Sequence, residues 1–439
     1  MVFSARKGQK SHLTFLPVLP KIFITPQNEE KWLNTAIFQR SNMYKHTEVL
    51  ILLGKETRKG GFSIPDKQIL PAPDTMAYRI LALTAISGEL PTNLLPRLPG
   101  GERYKELAAL SLKEKGLLRT YYHDHLRGYR LGRRARTLLL TQQPERFAFF
   151  LTGNTDTNLL KSEVTRRLRL HHIADMTVLA QNAGAHIFRD DKPDLFCSDK
   201  FEPDSFSPAR LPLFYTSREV KAIGPDALKI RGSRMTGILL TPSKAYLVYY
   251  GGRTVPEWRS WVEEKAKSLM QTVLSFERLA GFYKTSDIQA FLVCEGMEPL
   301  VEILAGSDTR ERCFFLLDDS NSHFFYLTND VQGEKLLRLL CDPGKQTSID
   351  QLLQRELKPP VPNAAIEHDA LDAHGRPVLF AYLPDIPRLD RFLYGLKVHH
   401  RQGCIACFDF QARALKDRLG PMVSFLPISL EKIERMVGL

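Results

Sequence analysis

The residues whose types and spacing come closest to a catalytic pattern are Glu219, Lys221 and Asp226. Glu219-Val220-Lys221 is an acid-x-lysine sequence in an apolar run that predicts a strand, and Asp226 follows a proline shortly afterwards. Metal-dependent nucleases hold Mg²⁺ with carboxylates and use a nearby lysine to position water. Here the proline-aspartate pair comes after the acid-x-lysine sequence, which reverses the usual order, and the next predicted strand, 245–250, contains no acid. An Mg-dependent DNA endonuclease or nickase is therefore the alternative hypothesis, and without it no metal or other cofactor is predicted.

A second group of residues is suited to bind phosphate. Between Glu102 and Arg136 the chain has ten lysines and arginines and four acidic residues. This excess favours contacts with a nucleic-acid backbone, which supply much of the affinity without reading sequence. The predicted DNA-binding residues are Arg103, Lys105, Lys113, Lys115, Arg119, Arg127, Arg130, Arg133, Arg134 and Arg136.

The hydrophobic pattern predicts the elements that position these cations. Apolar residues recur at helical spacing from Asp74 onward, a short second helix follows, and a third helix covers 102–115. Two short strands, 117–122 and 126–131, then flank a polar tip, and a basic helix covers 133–142. The buried stripe predicted for the third helix consists of Tyr104, Leu107, Leu110 and Leu112.

These elements follow the order of a winged helix-turn-helix, which is helix, short helix, helix and hairpin. In that fold the third helix enters the major groove, while the hairpin contacts the DNA backbone. We therefore expect Arg103, Lys105 and Lys113 to lie in the groove. Backbone contacts are expected from the wing and the basic helix, through Lys115, Arg119, Arg127, Arg130, Arg133, Arg134 and Arg136. Winged helices also dock on proteins, so a protein–protein interaction scaffold is a further alternative.

The remaining chain predicts an α/β (α+β) protein of two or three domains, because it has 439 residues and alternates strands with helices. Strand and helix alternate most regularly near the C-terminus, which predicts a partly parallel sheet there. The predicted divisions are a basic, loosely structured leader (1–73), the winged helix (74–150), an α/β domain (160–285) and a C-terminal α/β domain (286–439).

Composition limits the classes of partner. The net charge is +12 with a pI near 9.3, which favours double-stranded DNA over other partners. No apolar run is long enough to span a bilayer, and six cysteines in so long a chain do not form a dense disulfide framework. We expect a cytoplasmic protein without a membrane partner. No glycine-rich loop with Lys-Ser/Thr is present, which excludes nucleotide hydrolysis by that route.

Two sequences resemble a known family. The wing segment GYRLGRRARTLL (128–139) and the helix segment RRLRLHHIADM (166–176) resemble the plasmid replication-relaxation family of bacterial mobile elements. The resemblance covers roughly 74–275, and the wing departs in detail from the family's Tyr-Leu-Thr-x-x-Gly pattern. It implies a DNA-binding accessory protein for replication, relaxation or conjugative transfer, acting with other mobile-element proteins. It also implies that 160–285 has a degenerate restriction-endonuclease-like fold that need not be active.

Overall fold

The computed structural model describes residues 69–153, 159–197, 201–202, 205–305, 321–416 and 419–438. Most of the predicted leader, 1–68, lies outside these residues. Within them the chain is a mixed α/β protein with three sheets, as the sequence predicts.

The first sheet is small and lies among helices. Its three strands are antiparallel in the order β1-β3-β2, so the β2–β3 hairpin joins the short strand β1 through β3. The elements of this region are α1 (Met76–Ser87), β1 (Leu90–Pro91), a 3₁₀ helix (Thr92–Arg97), α2 (Glu102–Glu114), β2 (Leu118–His123), β3 (Leu126–Leu131), α3 (Arg133–Gln142) and α4 (Pro144–Leu151).

Helix α1 is the centre of this region. The Thr75 hydroxyl accepts a hydrogen bond from the Tyr78 amide and caps the first turn. Gly88 ends the helix in the left-handed region, with φ of 88°. Most α1 side chains are buried, because α2 and α4 pack on one part of the helix and the later helix α5 packs on another.

A five-stranded sheet follows in the order β4-β5-β6-β7-β8. The pairs β4–β5 and β5–β6 are antiparallel, whereas β6–β7 and β7–β8 are parallel and need crossover helices between them. The elements are α5 (Val164–Asn182), β4 (Leu213–Thr216), α6 (Ser217–Val220), β5 (Met235–Leu240), β6 (Ala245–Gly252), α7 (Ser260–Gln271), β7 (Ile288–Cys294), α8 (Glu298–Ala305), β8 (Phe324–Thr328) and α9 (Val331–Cys341).

The C-terminal sheet has the order β12-β11-β10-β9, with β10, β11 and β12 parallel and β9 antiparallel to β10. The prediction of a partly parallel sheet here is confirmed. Its elements are α10 (Pro343–Gln354), β9 (Ala370–Leu371), β10 (Pro377–Phe380), α11 (Ile386–Val398), β11 (Gly403–Phe408), α12 (Asp409–Lys416), β12 (Val423–Ile428) and α13 (Leu430–Val437).

One cluster of buried apolar side chains extends through all three sheets. It includes Ile80 of α1, Val178 of α5, Val248 of β6 and Ala406 of β11, each with no exposed surface. The first helices and both larger sheets therefore share a continuous core. None of the described helices combines the length and the hydropathy that crossing a bilayer requires.

Candidate nucleic-acid interface

The β2–β3 hairpin ends in a tight two-residue turn. Asp124 and His125 occupy the turn with φ of 47° and 60°, which is the conformation of the tight turns that suit the twist of a hairpin. The cross-strand pair Tyr122 and Arg127 lies near the tip, and both side chains are exposed. The hairpin thus presents an aromatic and a cationic group to solvent at its end.

Helix α5 fixes the orientation of this hairpin. Arg167 of α5 is fully buried, and its guanidinium donates hydrogen bonds to the carbonyl oxygens of His123 (2.8 Å) and Leu126 (3.1 Å) on either side of the turn. The Tyr121 ring lies between cations, with the Cζ atoms of Arg130 and Arg167 at 3.8 Å and 4.6 Å from its centroid. The hairpin is therefore held by side chains from outside its own region.

Glu89, next to β1, is the common acceptor for these cations. Its buried carboxylate accepts hydrogen bonds from Arg130 Nε (2.8 Å), from Arg167 and from His171 Nε2 (2.9 Å). Burial raises the pKa of Glu89, but these three hydrogen bonds outweigh burial and lower the pKa to about 2. We call Glu89, Arg130, Arg167 and His171 the Glu89 cluster.

The Glu89 cluster corrects the predicted position of Arg130. This side chain was expected to contact a DNA backbone, but it is buried and paired with Glu89, and it also donates to the Lys161 carbonyl oxygen. Side chains three residues apart in a strand point to opposite faces of the sheet. Arg130 of β3 therefore faces α5, whereas Arg127 is exposed. Arg130 holds the wing in place and is not available at its surface.

The buried face of helix α2 matches the predicted stripe only at Leu112, which is 1% exposed. Lys105 is only 5% exposed, and its ammonium donates to the Pro96 carbonyl oxygen at 2.7 Å, so its expected place in a DNA groove is wrong. The buried face of α2 instead consists of Lys105, Ala109 and Leu112. The outward face carries three side chains that were predicted to be buried, namely Tyr104 (55% exposed), Leu107 (54%) and Leu110 (46%).

The other predicted DNA-binding residues lie at the surface without ion-pair partners. Seven are exposed and Lys113 is half-buried, and within the part of the chain that the structure describes none of the eight forms an ion pair with a carboxylate. Exposed arginines on the larger sheets do form such pairs, as Arg253 does with Glu295 (2.6 Å). The unpaired cations are Arg103, Lys113, Lys115, Arg119, Arg127, Arg133, Arg134 and Arg136.

The three residues of the nuclease hypothesis do not form a site on a strand. Thr216 and Glu219 form a capping box that begins α6, so the acid-x-lysine sequence lies at a helix and not on the predicted strand. The Glu219 carboxylate is buried and pairs with Lys192 at 2.9 Å, while Lys221 begins the 3₁₀ segment Lys221–Ile230. Asp226 is exposed in that segment and pairs with Lys229 at 2.8 Å.

The described residues show no assembly of metal ligands. Among them, no group of three or more His, Cys, Asp or Glu side chains is placed to hold a metal ion. The two strands that follow Asp226 in the chain, β5 and β6, contain no acidic residue. His171 is part of the Glu89 cluster, and His172 instead packs on the Tyr250 ring with centroids 4.6 Å apart.

A second polar cluster, which the sequence did not indicate, lies at the carboxyl ends of β6, β7 and β8. Asn329 donates to Asp175 Oδ1 (3.0 Å) and to the Tyr250 hydroxyl (3.2 Å), and it accepts at its own Oδ1 from Arg97 (2.8 Å). Burial raises the pKa of Asp175 to about 7. These contacts join the 3₁₀ helix of the first region to the edge of the five-stranded sheet.

No protein-family model matches this chain, and comparisons with curated proteins and with solved structures find no significant match.

Proposed function

We propose that this chain is a DNA-binding accessory protein of a bacterial plasmid or conjugative element, which contacts duplex DNA through a winged helix without catalysis in the cytoplasm. The order α1, 3₁₀ helix, α2 and hairpin, with β1 completing a three-stranded sheet, supports the winged-helix assignment. The single observation that carries the proposal is the set of eight cations between Arg103 and Arg136 that form no ion pair with any carboxylate the structure describes.

Surface cations that form no ion pair with a described carboxylate can bind DNA phosphates in a salt-dependent way, because phosphate binding releases counterions from the DNA. An unpaired surface cation that meets a phosphate releases a counterion from the DNA, so that affinity falls steeply with salt. A cation already paired with a carboxylate would first have to give up that partner. Each lysine or arginine that contacts a phosphate adds roughly 0.9 to the slope of log affinity against log salt.

The charge pattern of α2 shifts the expected contacts toward the wing and α3. The helix carries the acidic residues Glu102, Glu106 and Glu114 beside its exposed apolar side chains, and carboxylates repel phosphates. Arg119, Arg127 and Arg134, on the wing and α3, are exposed and have no described acidic partner. We therefore assign backbone binding mainly to these two elements.

The test is binding of a labelled duplex over a series of salt concentrations with Mg²⁺ present, followed by a denaturing gel. The variant Lys115→Gln/Arg127→Gln/Arg134→Gln should reduce the salt slope by roughly 2.7, or three contacts at 0.9 each. A matched control, Arg231→Gln/Lys397→Gln/Arg401→Gln, removes the same charge from exposed positions on other elements.

Equal slopes for the two triple variants would show that only net charge matters and would overturn the assignment to the wing. Absence of binding at low salt would overturn DNA binding altogether. Cut or nicked product would favour the nuclease alternative, and Glu219→Ala would then have to abolish it. The buried pairing of Glu219 with Lys192 argues against that outcome.

A second proposal, self-association through α2, is favoured by the outward face of that helix. Tyr104, Leu107 and Leu110 recur at helical spacing and form an exposed apolar stripe, which is the usual mark of a protein contact. Glu102 and Glu106 outnumber the exposed Arg103 near one end of the helix, and Lys113 and Lys115 outnumber Glu114 near the other. Two antiparallel copies would therefore place acids opposite bases in a symmetric contact.

Sedimentation across a concentration series tests this contact. Leu107→Ser/Leu110→Ser should shift the protein toward the monomer, and Leu228→Ser, at another exposed apolar side chain, should not. A wild-type protein that is monomeric at every concentration would refute the proposal.

A further inference from the structure

A cavity of about 230 Å³ lies between the wing, the end of α1, α3 and α4. Four arginines line it, Arg119 from β2, Arg133 and Arg136 from α3, and Arg218 from α6. We propose that this arginine cavity binds a phosphate group, carried by a small phosphorylated compound or by the 5′ end of a DNA strand. Arg119, Arg133 and Arg136 also belong to the proposed DNA-binding surface, but its other five cations do not line the cavity, so an enclosed phosphate site goes beyond the proposed function.

Among the described residues that line the cavity, cations outnumber anions. No carboxylate is found among the described residues that line it. The C-terminal ends of α1 and α4 reach the cavity and contribute roughly half a negative charge each, which leaves about two positive charges in excess from Arg119, Arg133 and Arg136. A phosphate monoester or a diphosphate supplies two or more negative charges and is the class of ligand that compensates this excess.

Two of the arginines are held in fixed positions. Arg218 donates to the carbonyl oxygens of Ile86 (2.5 Å) and Phe150 (2.9 Å), at the ends of α1 and α4. Arg136 donates to the Leu151 carbonyl oxygen at 2.7 Å. Planar guanidiniums fixed in this way need little further ordering to bind an anion.

The protonated form of the Arg218 guanidinium is disfavoured at its position in the cavity. Burial lowers the pKa of Arg218 to about 10, and the positive charge of Arg136 lowers it further, while Glu219 acts in the opposite direction. A bound anion would relieve both unfavourable effects. This agrees with the geometric argument, which rests on the four side chains and the cavity itself.

The other two arginines are free to move onto a ligand. Arg119 and Arg133 are exposed, and neither side chain donates a hydrogen bond to a residue in the described ranges. Charge-assisted hydrogen bonds from arginine to phosphate are the strong, often bidentate type. Arg119 and Arg133 therefore supply the adjustable contacts, while Arg136 and Arg218 supply the fixed ones.

Size and wall chemistry restrict the ligand further. The volume is below the roughly 300–1,000 Å³ of sites for drug-sized ligands, so the cavity admits a phosphate or diphosphate with a small attached group. Phe150 and Leu170 are among the apolar side chains that line it. The phosphate is thus expected to lie against the arginines, with the attached group against the apolar wall.

The experiment is isothermal titration of the whole protein with two probes, pyrophosphate and a 5′-phosphorylated dinucleotide, in about 150 mM salt to screen non-specific attraction. The cavity variant is Arg119→Gln/Arg133→Gln. Its matched control is Arg231→Gln/Arg401→Gln, which removes the same charge from exposed positions on other elements that do not line the cavity. All four positions are at the surface, and an unchanged melting temperature without ligand confirms that each variant is folded.

The proposal predicts binding of at least one probe, weakened about tenfold or more in the cavity variant because two charge-assisted contacts are lost, and nearly unchanged in the control. Tighter binding of pyrophosphate identifies a small phosphorylated compound. Tighter binding of the dinucleotide, but not of its 5′-hydroxyl counterpart, identifies a DNA end.

Absence of binding by both probes at about 1 mM overturns the proposal, and so does an equal loss in both variants. Binding of a duplex with 5′-hydroxyl ends is measured in parallel. If that binding persists while both probes fail, only the cavity proposal is refuted. If it is absent while a probe binds, only the proposed function is refuted.

Discussion

Replacing Glu89 by Gln should release the β2–β3 hairpin. The substitution keeps the shape of the side chain but removes the negative charge that Arg130, Arg167 and His171 share. The pKa of Glu89 falls from 4.5 to about 2 on folding, which at about 1.36 kcal/mol per pKa unit corresponds to roughly 3 kcal/mol of stabilisation. Removal of one partner from a buried ion pair costs about 3–5 kcal/mol in general, which gives the same magnitude.

Hydrogen exchange of the amides in 118–131 is the direct assay, because these amides are protected by the hairpin that the Glu89 cluster holds. A loss of roughly 3 kcal/mol corresponds to about a hundredfold faster exchange through local opening. The control Glu106→Gln removes an exposed carboxylate from α2 and should change exchange by less than about twofold.

The pH dependence gives a second check on Glu89. Because its folded pKa is lowered, the stabilisation is fully present above 4.5 and is lost as pH falls toward 2. The difference between wild type and Glu89→Gln should therefore shrink between these two pH values. Exchange that is unchanged by the substitution at pH 7 would refute the assignment of the Glu89 cluster as the fixed anchor of the wing.

Three further predictions concern other buried groups. Gly333→Ala places a Cβ 1.7 Å from the Thr328 carbonyl oxygen and should cost several kcal/mol, seen as a lowered melting temperature, whereas Gly101→Ala, with no atom within 4 Å, should be nearly silent. Asp175→Asn should raise stability by roughly 3 kcal/mol more at pH 8 than at pH 5, because the folded pKa of about 7 lies above the unfolded value of 3.8 and wild type loses about 1.36 kcal/mol per pH unit between them; equal effects at both pH values would contradict this. Lys105→Met should leave duplex affinity unchanged and change stability by about 1 kcal/mol or less, and a tenfold loss of affinity would show that the ammonium reaches DNA after all.

Local patterns in the sequence predict the elements of the first region well. The hairpin is predicted correctly because its strands flank a polar tip. Helices α1 and α2 are predicted correctly from the spacing of their apolar residues. The face of α2 could not be found this way, because Lys105 is buried against a carbonyl oxygen supplied by the preceding 3₁₀ helix. Tertiary contact outweighs side-chain polarity at this position.

The sequence around Glu219 does contain a signal for the helix that the structure shows. Thr216-Ser217-Arg218-Glu219 has the S/T-x-x-E form of a capping box, which signals a helix start and competes with the strand suggested by the apolar residues around it. No local sequence pattern indicated that Arg218 would be buried and contribute to the cavity. Its hydrogen-bond acceptors, the carbonyls of Ile86 and Phe150, are 132 and 68 residues away in the chain.

Because α1 is almost completely buried, residues 74–150 do not form an independent folding unit. Ile80, Leu81 and Ala82 have no exposed surface, and α5 covers part of the helix from beyond residue 150. Excising 74–150 would expose apolar side chains that the rest of the chain now covers, so the fragment should aggregate. A fragment that keeps this region folded would have to include at least α5.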